Sequence, residues 1–156
     1  MRNHCLLGLI LSLPILSLSS PSFPEGAMIV QVIDVDRFLL TSGEEVECLG
    51  IYIPLLGKKF REEVIPEVQK MVNEKSLKLE FDSTQRAPFG KLRAYIFADG
   101  IFVNAELVKR GYALLLPSSE KLKYGSYLVE LENQAKAEKR GFWNESYWMT
   151  EYCSCY

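Results

Sequence analysis

Histidine is nearly absent from this chain. The single one, His4, lies among the first residues, ahead of any segment that reads as folded. Cysteine is scarce too, at Cys5, Cys48, Cys153 and Cys155. Three cysteines beyond residue 20, at these spacings and without histidine, make no usual four-ligand zinc pattern. Excess charge of one sign is also missing. Lys and Arg number 18 against 20 Asp and Glu, a net charge of −2. No global field therefore argues for a nucleic-acid partner, although a local basic patch stays open. Internal repeats are absent, which leaves no repeat architecture to consider.

Long apolar runs are missing except for one. Arg2 is followed by CLLGLILSLPILSLSS, residues 5–20. A basic start, an apolar run and then small residues read as an export signal, with Ser17 and Ser19 at the small positions before cleavage. The alternative is an anchor that stays. The run is shorter than the roughly 20 residues that a span prefers, and Pro14 interrupts it. The expectation is an exported protein, periplasmic, cell-surface or extracellular, or one anchored by residues 5–20. Cleavage takes away Arg2 and no acidic residue, which lowers the net charge to −3. The odd number of remaining cysteines leaves one thiol free or paired with another chain. Cys48 alternates with apolar neighbours and reads as a buried thiol.

What is present is ordinary for a folded domain: 156 residues, 48% hydrophobic and 24% charged. That length supports one domain with a full core. The layout reads as residues 1–20 signal or hydrophobic segment, 21–27 leader, 28–144 folded domain and 145–156 tail. Residues 27–33, 37–41 and 46–51 read as three strands joined by tight turns, a meander. Residues 56–75 have helical spacing, with Phe60, Val64, Val68 and Met71 or Val72 on one face and Pro66 inside. Residues 76–82 alternate as a strand. Residues 92–104 form a hairpin around Asp99-Gly100. A short helix follows, with Asn104 at its start and Gly111 at its end. Residues 112–116 form a short apolar run that stops at Pro117. A last helix is expected from Ser118 or Ser119 to Arg140, with Gly141 as its cap and Phe142 and Trp143 as a latch. The expected fold is α+β, mainly β: a five-stranded OB-type barrel with two or three packed helices.

Asp34 and Asp36 stand at i,i+2 in a segment that reads as extended. Such residues point the same way, and two carboxylates can share a hard cation. The bland alternative is a solvated turn whose aspartates cap backbone amides.

Over residues 29–143 the chain resembles the thermonuclease family, secreted calcium-dependent nucleases with a staphylococcal-nuclease-like domain. VIDVDRFLL, VECLGI, FGKLRAYIFADG, NAELVKRGYA and QAKAEKRGFW appear in family order and spacing. The resemblance implies hydrolysis of phosphodiester bonds in DNA or RNA with one calcium ion. It implies that Asp34, Asp36 and the Ile53 backbone carbonyl hold the ion.

The chain departs from the family at several positions. Glu47 stands where a phosphate-gripping arginine belongs, and a carboxylate repels phosphate. Leu55 replaces the water-activating glutamate, and leucine cannot accept a proton. Tyr52 replaces an acidic residue near the metal. Lys91 replaces a second arginine, keeping charge but losing the fork. Val35 and Arg37 replace glycine and threonine around Asp36. Ala87 and Pro88 precede Phe89 where the family often carries an acidic residue. The expected activity is therefore impaired or lost. The alternative is a rewired site in which Glu47 joins Asp34 and Asp36 as ligand or base. In either case Glu47 and Lys91 are the candidate catalytic positions.

Candidate substrate-binding residues are Arg86, Phe89, Lys91, Tyr112 and Tyr124. A phosphate-and-stacking patch is one reading of the first three, and a solvated surface the other. Tyr112 and Tyr124 either flank a nucleotide groove or pack helix on sheet. The aromatic tail 145–156 either docks on the domain or forms a protein interface, including a homodimer bridged through Cys153 or Cys155. Three roles follow: an altered nuclease, a non-catalytic module for nucleic acid or protein, and an envelope scaffold.

Overall fold

The computed structural model describes residues 27–54, 58–82 and 91–145. Residues 1–26 and 146–156, Leu55, and residues 83–90 with Arg86 and Phe89 lie outside the described residues.

The first three strands form the expected antiparallel meander. They are β1 (Ile29–Asp34), β2 (Arg37–Leu40) and β3 (Glu45–Cys48). β1 shifts register against β2 twice, between Ile29 and Gln31 and between Val32 and Asp34. Each shift is a bulge that bends the strand. The run expected to continue to Ile51 instead breaks at Gly50, whose φ of 84° only glycine adopts without strain. Beyond the break, β4 (Ile51–Tyr52) leaves the main sheet and pairs with β8 (Leu114–Leu115).

Helix α1 (Lys58–Val72) buries Phe60, Val64, Val68, Met71 and Val72, the face its spacing predicts. Pro66 sits within it on the exposed side. β5 (Leu77–Glu80) pairs antiparallel with β6 (Leu92–Ala98). β6 in turn pairs parallel with β3 and carries β7 (Ile101–Phe102) through the Asp99-Gly100 turn. Both turn residues have positive φ, 47° and 83°, which matches the right-handed twist of a tight hairpin.

The main sheet runs β1-β2-β3-β6-β5, with β7 on β6. This corrects the expected five-stranded barrel. No ladder joins β1 to β5, and a single isolated bridge, Ala27 to Leu77, links their ends. A barrel needs a continuous ladder between its first and last strands.

Helix α2 (Val103–Lys109) ends as expected near Gly111, at φ 69°. Its start differs, because Asn104 does not cap the helix but turns into the core. The last helix is shorter than expected. A 3-10 turn covers Ser119–Lys121, and α3 runs only Gly125–Ala137. Ser119 is buried, and its hydroxyl donates to the Gly50 carbonyl, so it ties the turn to the β3–β4 corner. Gly111 and Gly141 meet backbone to backbone. A Cβ on Gly111 would lie 2.2 Å from the Arg140 carbonyl oxygen. The two glycines thus let the C-terminal ends of α2 and α3 touch.

Candidate functional site

The outer face of the meander carries a row of alternating charge. Asp34 faces Arg37 across β1–β2, Arg37 faces Glu47 across β2–β3, and Glu47 faces Arg93 across β3–β6. Residues directly opposite on neighbouring strands share a face. The other face carries Phe38, Val46, Leu92 and Ala94, all core. Four strands are therefore needed to assemble the row, and the parallel β3–β6 pairing supplies its last member.

Asp34 ends β1, and Val35 and Asp36 make the link to β2. Asp34 is thus the last strand residue and Asp36 lies in the turn, rather than both on one extended run. Val35 does not take the positive φ that strains a β-branched residue, and its side chain is fully buried. Burying valine at the turn pulls its neighbours inward. Asp34 is 5% exposed and Asp36 8%.

Asp34 is fully engaged. Its Oδ1 accepts the Val35 N–H at 2.9 Å. Its Oδ2 accepts Arg61 Nη1 at 2.6 Å and Arg37 Nη2 at 3.3 Å. Asp36 is held differently. Burial, then the charges of Asp34 and Glu47, push its carboxyl up to about 6. The Cys48 thiol is buried beside it and raised well above its ordinary value, chiefly by burial. A thiol so raised stays protonated and unreactive. Glu47 lies 3.6 Å from Arg93 Nη2, and Glu45 lies 3.4 Å from Lys91 Nζ.

Calcium requires six to eight oxygen ligands at about 2.3–2.6 Å. Among the described residues no group of three or more His, Cys, Asp or Glu side chains is placed to hold a metal ion. The Oδ2 of Asp34 already faces two guanidiniums. In this arrangement the residues do not fit a calcium ion. Ile53 is half-buried just beyond β4 and packs against the core.

The sequence family is decided by direct comparison. The family described as staphylococcal nuclease homologue matches residues 44–145. The chain belongs to that family. This nuclease-family domain is also 30% identical over 121 residues to the SPbeta prophage-derived endonuclease YokF of Bacillus subtilis (strain 168). It is 30% identical over 119 residues to the endonuclease YncB of the same organism. Those matches cover 76% and 75% of this chain, but only 40% and 54% of the two relatives.

Within the nuclease-family domain the remaining candidates sit apart by contact. Tyr112 packs edge-on against Phe60 at 6.4 Å, between α1 and the end of α2. Tyr124 packs among Tyr95, Phe97 and Phe102, and its hydroxyl donates to Glu80 Oε2 at 3.1 Å. Lys123 Nζ donates to the same carboxylate through Oε1. Residues that sequence reading did not assign to the site are Arg61 and Arg93. Arg61 lies 27 positions from its partner Asp34, and no local spacing signals that contact. Arg93 would have been found by anyone who knew that β3 and β6 run parallel.

No helix among the described residues is long and apolar enough to cross a membrane.

Proposed function

We propose that this domain keeps the nuclease-family fold while calcium-dependent phosphodiester hydrolysis is lost or severely impaired, leaving a binding module. The observation that carries this reading is the pairing of Asp34 with Arg61 and Arg37. The carboxylate expected to hold the cation is spent on two side chains of its own chain. Glu47 supports the same reading. It puts negative charge where phosphate must approach, and it engages Arg93 at 3.6 Å. Lys91 likewise engages Glu45. Removing one electrostatic contact to a transition state costs about 10²–10³ in rate, and several are changed here together. The two relatives described as endonucleases support nucleic acid as the ancestral substrate.

The test is digestion of single-stranded DNA and RNA by the full chain with calcium, with other divalent ions and with chelator. The expected result is no cutting under any ion by protein shown to be folded. Chelator-sensitive cutting that disappears in Asp36→Ala would overturn the reading in favour of a rewired site. Retention of DNA that weakens steeply with salt would identify nucleic acid as the bound partner.

A further inference from the structure

We propose that Arg61 and Arg37 act as tethered counter-ions, taking the structural part of a divalent cation at the β1–β2 turn. Asp34 is almost fully buried, and a buried carboxylate without a positive partner is strongly unfavourable. Its Oδ2 meets Arg61 at 2.6 Å and Arg37 at 3.3 Å. The three residues come from three elements: the end of β1, the start of β2 and the first turn of α1. One carboxylate therefore fastens the turn to the helix, a task for which a multivalent ion is well suited. Two guanidiniums bring two positive charges, the charge of one calcium ion. Arg93 on Glu47 adds a third guanidinium to the row, so that Asp34 and Glu47 are both paired within the chain.

The exchange changes what the fold depends on. A free ion leaves when its concentration falls. A guanidinium on the same chain has a fixed effective concentration and cannot be chelated. It also donates hydrogen bonds in a fixed plane, so it orients Asp34 rather than merely neutralising it. The domain thus becomes independent of calcium while keeping the hairpin-to-helix junction. This deepens the reading of a lost hydrolase but has its own readout.

The experiment is thermal unfolding of the full chain in chelator and in millimolar calcium, with ionic strength matched by sodium chloride. The wild type is expected to melt at the same temperature in both. Arg61→Gln, alone and with Arg37→Gln, is expected to melt several degrees lower in chelator. Calcium should restore part of that loss, because Asp34 and Asp36 are then open to a cation. A wild type stabilised by calcium overturns the proposal, and so does a folded Arg61→Gln protein whose melting ignores calcium. If the double variant does not fold, the wild-type pair and the single variant still decide. Calcium stabilisation without DNA cutting would sink this inference alone. Cutting without calcium stabilisation would sink only the reading of lost hydrolysis.

Discussion

Two buried polar groups in this domain are satisfied in opposite ways. Asn104 is fully buried between β6 and the β3–β4 corner. Its Oδ1 accepts the Ile96 N–H at 2.9 Å, and its Nδ2 donates to the Leu49 and Ala94 carbonyls at 3.0 and 3.3 Å. Every partner is backbone, and no charge is involved. Asp34 and Asp36 are nearly as buried but are charged or close to titrating, and the partners of Asp34 beyond its own turn are long, half-exposed side chains. A neutral amide bound only to backbone welds elements that cannot move apart without leaving orphans. A carboxylate bound to arginines depends on residues that substitution can replace one at a time. The first arrangement serves the fold, and the second is where a family can change its chemistry without losing its shape.

The sharpest way to break the comparison is Asn104→Ala. It strands the Ile96 N–H and the Leu49 carbonyl, each costing about 1–3 kcal/mol, while the Ala94 carbonyl keeps the Leu49 N–H at 2.9 Å. A loss of about 3–5 kcal/mol is expected, read as a lower urea midpoint. A loss under about 1 kcal/mol would mean that the amide is not the weld described here.

Asp36→Asn should act in the other direction. The folded-state carboxyl, at about 6, lies above its ordinary 3.8. The folded state therefore favours the protonated form. The associated stability is full below about pH 4 and is lost as pH rises through about 6. The variant should match the wild type near pH 4 and exceed it at pH 8 by on the order of 2 kcal/mol. Denaturation curves at both values check this, and an equal change at both would refute it.

Glu47→Gln should have the smallest effect. It removes a repulsion on Asp36 and a half-exposed pair with Arg93, and the two oppose each other. A change within about 0.5 kcal/mol is expected. A loss several times larger would make Glu47 as structural as Asn104.

Local features were legible in the sequence. The buried face of α1, the Asp99-Gly100 turn and the meander all follow from periodicity and turn chemistry. Where the reading failed, a distant contact had overruled a local preference. Asn104 looks like a helix cap, yet three backbone groups from β6 and the β3–β4 corner draw it inward. Ser119 looks like the start of a long helix, yet Gly50 takes its hydroxyl and the helix begins only at Gly125. The barrel expectation counted strands without knowing which edges would meet. At the candidate site the substituted positions could be read from the family pattern, but the reach of Arg61 to Asp34 could not. That contact exists only after α1 has docked beside β1.

The parallel pairing of β3 with β6 also bears on how the chain is made. β1, β2 and β3 leave the ribosome early, but the partner of β3 begins only at Leu92, and β5 must wait for the same strand. Two neighbours emerge long before the strand that joins them. Pairings so distant along the chain form slowly, because loop closure precedes the contacts that reward it. Until β6 appears, the nascent meander has an unpaired edge with Cys48 and Val46 beside it. Synthesis is therefore the interval in which this domain is most open to wrong pairing or to a chaperone, and β6 is the strand whose arrival ends it.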